Sequence, residues 1–190
     1  MIAVQPVSAL YVDPKGPYYK LLGPNNCWDS QRDARTYEGT NPIVAHPPCG
    51  PWGTLAKFCT KQDKTLAPFA VRQVRKWGGI LEHPCGSRLW NHCRLWKPGE
   101  FTDSYGGWTL QVDQVRWGHK CRKRTWLYIV GLPRDTVLDL PPPRAHTHML
   151  SGGSKERTGR TLPVLWSTEA RLTPPDFAAW LVYLASLCRV

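Results

Sequence analysis

A chain of 190 residues with 42% hydrophobic content is long enough to close a real core, and no apolar run approaches the roughly 18 residues of a membrane span. The formal charge of +11 points to a polyanionic partner, most simply duplex or single-stranded DNA, and ten tryptophans among these cations suit unstacked bases and backbone phosphates. Seven cysteines without a regular framework, and a start with neither a basic n-region nor a cleavage site, argue against a secreted disulfide scaffold and for a reducing cytoplasm.

In chain order the pattern is that of one α/β domain over residues 1–190. Residues 8–13 read as a first strand. Residues 14–40 are polar and broken by Gly16-Pro17, Gly23-Pro24 and Asn25-Asn26, which predicts a long, substrate-facing loop. The apolar run 41–45 predicts a buried strand that ends in His46-Pro47-Pro48-Cys49. Over 66–77, Leu66, Ala70, Val71, Val74 and Trp77 recur at helical spacing, with Arg72, Gln73, Arg75 and Lys76 facing outward. Gly78-Gly79 stops that helix and Ile80-Leu81 opens the next strand, giving a parallel βαβ unit with a right-handed crossover. A short helix over 87–96 ends at Pro98-Gly99. Residues 108–113 alternate as a half-buried strand, and 125–130 form a continuous one after the basic connection 118–124. The segment 141–161, with three consecutive prolines, Gly152-Gly153 and the cations Lys155, Arg157 and Arg160, predicts a mobile basic loop. Thr173 reads as the N-cap of a last helix with Pro174 at its first position and Phe177, Trp180, Leu181, Leu184 and Cys188 on its buried stripe. The expected architecture is a mostly parallel sheet flanked by helices.

Three segments carry chemistry. Cys49 is presented on a Pro/Gly-bound loop after a strand, where open α/β sheets place their reactive groups. A thiolate there could add to an electron-poor ring carbon, with His46 and the pair Arg122 and Arg124 as the cations that favour it, and with Trp52 close by. Glu82 ends an apolar strand, where burial would raise its carboxyl pKa and let it share a proton with a base; His83 points to the opposite face. Arg122 and Arg124 lie on one face of the incoming strand and Lys123 on the other, suited to a base carbonyl or a phosphate. Lys120, Lys123, Lys155, Arg157 and Arg160 form the expected nucleic-acid contacts, with His119 in support. Two alternatives stay open: Cys49 as a small residue of a Pro-rich turn, and a zinc site drawn from His46, Cys49, His83, Cys85, His119 and Cys121.

Taken in order, Pro47-Pro48-Cys49, Glu82-His83-Pro84 and Arg122-Lys123-Arg124 before an apolar strand and Gly131 resemble the motifs of the DNA cytosine-5 methyltransferase family, over residues 41–131. The chain as a whole also looks like small methylase-like proteins of phages and prophages. The resemblance implies a trimmed methyltransferase (Rossmann-type) sheet in the cytoplasm of a bacterial or phage-infected cell. It implies a nucleophilic Cys49 acting on a flipped base, Glu82 on the base edge, and Arg122 and Arg124 holding base and loop. It also implies S-adenosylmethionine as the electrophile. The chain departs from the family where the cofactor's Gly-rich loop belongs: Pro14-Lys15-Gly16-Pro17 offers one glycine between two prolines. The stretch from Asp13 to Cys49 is too short for two βα units, and 132–190 too short for a full target-recognition domain. A non-catalytic DNA-binding module that retains the fold, masking or protecting sites, is the competing expectation.

Overall fold

Six strands share one sheet in the order β2-β1-β3-β4-β6-β5. The computed structural model describes residues 4–53, 56–59, 62–150 and 162–190. In chain order the elements are β1 (Ser8–Leu10), α1 (Pro17–Leu22), β2 (Cys27–Trp28), β3 (Ile43–Ala45), α2 (Leu66–Trp77), β4 (Gly79–Pro84), α3 (Leu89–Cys93), β5 (Trp108–Asp113), β6 (Arg124–Val130), β7 (Met149–Leu150), β8 (Val164–Leu165), α4 (Ser167–Ala170) and α5 (Pro175–Leu187).

The first four strands of the sheet are parallel, but β6 runs antiparallel to both β4 and β5. The sheet is therefore mixed, with three parallel pairings and two antiparallel ones. The reason is the connection after β5: it folds back through a 3-10 turn at Gln114–Trp117 and inserts β6 between β4 and its own predecessor. As a result the C-terminal ends of β1, β3, β4 and β5 and the N-terminal end of β6 meet at one rim.

Strand alternation divides the core into two layers. On one face Val44, Ile80, Leu127 and Ile129 pack with Phe177, Leu181 and Leu184 of α5. On the other, Ile43, Ala45, Leu81, Tyr128 and Val130 pack with Ala67, Ala70, Val71 and Val74 of α2. Burying each such large side chain contributes about 1.5–3 kcal/mol. Gly78, at φ +74°, caps α2 through its N–H to Val74 O, and Gly79 at φ +110° sits so close to β3 that a Cβ would lie 2.0 Å from Ile43 O.

Several expectations change. Residues 14–40 are not an irregular loop: they hold α1, two 3-10 turns and the edge strand β2, a βα unit compressed between β1 and β3. Gln73 is buried rather than outward, bonded to Ala34 O at 2.6 Å and to the Tyr11 hydroxyl at 2.8 Å. The last helix starts one residue later, with Pro174 as cap and Pro175 as the first helical residue. Both flanks of the 141–161 segment are tied, by the β7–β8 pair and a bridge from Cys121 to His148. Residues 151–161, with Lys155, Arg157 and Arg160, lie outside the described residues. Among the described residues no helix is long and apolar enough to cross a membrane.

Candidate active site

Alternation carries a polar set to one place at the rim. Val44 and Ile80 face α5, so two residues further on His46 and Glu82 face the same way. Val112 shares that face, and continuing past β5 brings Gln114 to it; Leu127 shares it too, and counting back along β6 brings Thr125 and Lys123. Tyr18 reaches the group from α1.

These side chains form a buried chain of hydrogen bonds. The Tyr18 hydroxyl lies 2.6 Å from His46 Nε2, and His46 Nδ1 lies 3.1 Å from Glu82 Oε2. Glu82 Oε1 accepts from Gln114 Nε2 at 3.1 Å, and that nitrogen also donates to Thr125 Oγ1 at 2.9 Å. Proton placement follows from the two ends. Tyr18 is 2% exposed, and burial, then the Glu82 charge, hold its hydroxyl protonated far above neutral pH. Its recorded partner is His46 Nε2, so the hydroxyl donates there; the reverse would leave a buried O–H without an acceptor. His46 then carries its proton on Nδ1 and donates to Glu82. At the other end the Thr125 hydroxyl donates to Lys123 O at 3.2 Å, so Oγ1 can only accept from Gln114. This fixes the Gln114 amide with its NH2 toward Glu82 and leaves its buried Oε1 without a partner.

Both Glu82 oxygens therefore face donors. Burial pushes the Glu82 carboxyl up, but the His46 hydrogen bond and charge outweigh it, joined by Lys123 and His83, and hold it at about 2. The expectation of a raised, proton-sharing Glu82 is thus reversed: at neutral pH it is an ionised acceptor, with lone pairs left over.

Cys49 caps the 3-10 turn Gly50–Trp52, its carbonyl accepting from Trp52 N at 3.0 Å and Gly53 N at 3.1 Å. It is accessible, yet lines a small cleft of about 140 Å³ with Gly53, Pro84, Cys85, Gly86 and Ser87. Desolvation by the cleft, then the Glu82 charge, push the thiol up; Lys123 and Arg171 act the other way. The cations that bear on Cys49 are therefore Lys123 and Arg171, not His46 with Arg122 and Arg124. Burial pulls Lys123 below the ordinary lysine value against the pull of Glu82 and Cys49, and its ammonium donates to Arg171 O and Leu172 O at 3.4 and 3.2 Å.

Arg122 and Arg124 are exposed, Arg122 with its Nε 3.5 Å from an Asp113 carboxylate oxygen. The predicted alternation is present, but the face turned to the site belongs to Lys123. His83 lies across the sheet, bonded to Ser87 Oγ at 2.8 Å and held neutral by burial, down to about 4, against the Glu82 charge. Trp52 packs against His92 with ring centroids 4.9 Å apart and the rings tilted by 50°. His119 is structural: its Nδ1 lies 2.8 Å from Cys121 O and 3.1 Å from Cys121 N, and its Nε2 faces Ala170 O at 3.2 Å. Cys121 is buried with Leu165 and Ala170, and Lys120 is exposed 3.8 Å from Glu169. Among the described residues no three His, Cys, Asp or Glu side chains stand close enough to hold a metal ion, so the zinc set His46, Cys49, His83, Cys85, His119 and Cys121 does not converge.

A second cavity, of about 630 Å³, has His46 and Pro48 in its lining and so shares His46 with the network. It sits where β1 leads to β2 on one side and β3 on the other, the switch point at which open α/β sheets bind ligands. Tyr11 marks it with a left-handed backbone, φ 59°. Its walls carry Asp13, Asp29, Asp33 and Asp63 with Arg35. The loop after β1 does not provide a cradle of amides for an S-adenosylmethionine carboxylate. Pro14 and Pro17 have no N–H, Lys15 N donates to Asp13 Oδ1 at 2.8 Å, and Gly16 N donates to Asp13 O at 2.8 Å.

No family model, curated protein or solved structure matches this chain. Function is read from the site's own chemistry.

Proposed function

We propose that the protein modifies pyrimidine bases of DNA, using Cys49 as a nucleophile on a base drawn out of the stack. The observation that carries this reading is the convergence at one rim of an accessible cysteine, a carboxylate held in a fixed orientation and a lysine that bears on both. In this reading the sheet is a trimmed relative of the methyltransferase sheet, with the base at the Cys49 cleft. The switch-point cavity would take a second reactant. The four carboxylates there suit a cationic or hydroxyl-rich molecule better than an anionic one.

The steps this chain's own residues perform are these. The Cys49 thiol loses its proton to water in the cleft and its sulfur bonds to C6 of the ring, while the C5–C6 π pair moves toward the C4 substituent. Lys123 neutralises the charge that develops on the ring. The negative Glu82 opposes the thiolate at rest; a base donating to Glu82 weakens that opposition, so the thiol becomes reactive when substrate is in place. C5 is then nucleophilic toward the second reactant.

A covalent trap tests the reading. Oligonucleotides carrying 5-fluorocytosine or 5-fluorouracil, incubated with extract of the native host to supply the electrophile, should yield an adduct that survives denaturation. Cys49→Ser should abolish it, because a serine hydroxyl is scarcely ionised at neutral pH, while Cys59→Ser should not. Retained DNA binding with no adduct on either base would favour the non-catalytic binding module.

A further inference from the structure

We infer that the loop between α3 and β5 is a platform for single-stranded DNA, with Trp96 and Phe101 as the rings on which its bases stack. The inference rests on the DNA-modifying reading above and extends it from the reacting base to the strand that carries it. The starting observation is a pair of large rings left in water. Trp96 is 41% exposed and Phe101 69%, and they meet edge to face with centroids 5.2 Å apart. Single exposed apolar side chains are ordinary on a protein surface, but two packed on each other hold ring surface open in a fixed place. The segment that carries them is itself tied down. Trp96 O accepts from Thr109 Oγ1 at 2.6 Å, and that oxygen accepts from the buried Trp90 Nε1 at 2.9 Å. Arg134 donates to Gly99 O at 2.9 Å and to Glu100 O.

Charge chooses the occupant. Arg94 and Lys97 flank Trp96 along the chain, and Arg134 is anchored by the two carbonyls just before Phe101. Among the described residues none of these three cations, nor Arg88, pairs with a carboxylate. The acids of the segment are occupied: Glu100 Oε2 accepts from Lys97 N at 2.6 Å, and Asp103 Oδ2 accepts from Arg75 at 2.9 Å and Tyr128 at 2.6 Å. Open rings among uncompensated cations suit unpaired bases on a phosphate backbone. An apolar protein face would instead bury those cations without a counter-charge.

The platform also leads to Cys49. Cys85 lines the Cys49 cleft, and Gln111 Oε1 accepts from Cys85 Sγ at 3.3 Å and from Trp126 Nε1 at 2.9 Å. Gln111 and Thr109 lie two residues apart on one face of β5, about 7 Å along the strand, and Thr109 holds Trp96. Arg88 is exposed and donates to Gly53 O at 3.0 Å, and Gly53 lines the same cleft. A strand whose reacting base enters the cleft therefore meets Arg88 there, and Trp96 with Phe101 a few nucleotides on.

Anisotropy titration of a labelled single-stranded oligonucleotide with the full chain tests this without any second reactant. Phe101→Ala and Trp96→Ala should each weaken binding about tenfold, the loss of one base–aromatic stack, while Trp96→Tyr should stay within about threefold of wild type. Tyr183→Ala, which removes a ring 54% exposed on α5 across the sheet, should change nothing. Lys97→Gln should reduce the log–log salt slope by about 0.7, the value for one single-strand phosphate, and Trp96→Ala should leave the slope as it is. Mere loss of folded protein would not divide affinity from slope in this way. Wild-type affinity in both Phe101→Ala and Trp96→Ala would overturn the inference in favour of a protein partner at this face, and leave the Cys49 reading to its covalent trap. A loss in Trp96→Ala that Trp96→Tyr shares in full would give the indole a structural role and overturn it too. No binding of single-stranded or duplex DNA by wild type would remove both readings.

Discussion

Replacing Glu82 by glutamine tests the buried network on its own, apart from any activity. The amide stands in for the neutral carboxyl, and with His46 and Gln114 both donating, its NH2 must face one donor. The fall of the Glu82 pKa from 4.5 to about 2, at roughly 1.4 kcal/mol per decade, corresponds to about 3.5 kcal/mol of stability that only the ionised form supplies. The sign follows from the direction. A depressed carboxylate stabilises the fold fully above its unfolded value of 4.5, and that contribution is lost as pH falls toward 2. Urea unfolding of wild type and Glu82→Gln at several pH values should therefore show a gap of about 3.5 kcal/mol at pH 7 that narrows as pH falls from 4.5 toward 2, where the folded wild type itself takes up the proton. A gap that stays constant with pH, or is under about 0.5 kcal/mol at pH 7, would refute the placement of charge on Glu82.

His83 is pulled down from 6.5 to about 4 and so contributes stability above pH 6.5 that is lost as pH falls toward 4; His83→Asn should flatten the stability profile in that window by about 1.4 kcal/mol per pH unit. Gly79→Ala should cost several kcal/mol and be seen as a large drop in melting temperature, because its Cβ would meet the Ile43 carbonyl at 2.0 Å in a backbone held at φ +110°. DNA affinity should fall with salt at a log–log slope of about −0.9 per neutralised duplex phosphate, measured by titration between low and physiological salt; a flat response would remove the polyanion argument. Calorimetry should show weak or undetectable S-adenosylmethionine binding, since the amides of residues 14–17 are missing or already bonded to Asp13; tight one-to-one binding would restore the family's cofactor.

The sequence carried the long elements well. The spacing of Leu66 to Trp77 gave α2 with the observed ends, and the alternation of Trp108 to Asp113 gave β5. Residues 14–40 failed for a physical reason: α1 is six residues long and β2 only two, lengths at which breakers such as Gly16-Pro17 and Gly23-Pro24 outweigh any periodic signal. Mixed pairing was hidden as well. An apolar run such as 125–130 states that a strand is buried on both faces, but not which neighbours it enters between or in which direction.

The site shows the same division between what is local and what is not. Period two correctly set Lys123 apart from Arg122 and Arg124, yet could not say which of those faces meets Cys49, because that depends on β6 lying beside β4. Once Thr125 and Leu127 are buried on the α5 side, Lys123 must follow them inward and the two arginines remain in water. Gln114 was within reach of sequence reasoning, since extending the alternation of Trp108, Leu110 and Val112 by one step places it on the same face. Tyr18 was not, because no pattern in a turn-rich stretch announces a hydroxyl aimed at His46. Yet that hydroxyl decides the proton on His46 and, through it, the role of Glu82. Burial alone predicts a neutral carboxyl at this strand end; burial with two fixed donors produces an ionised one.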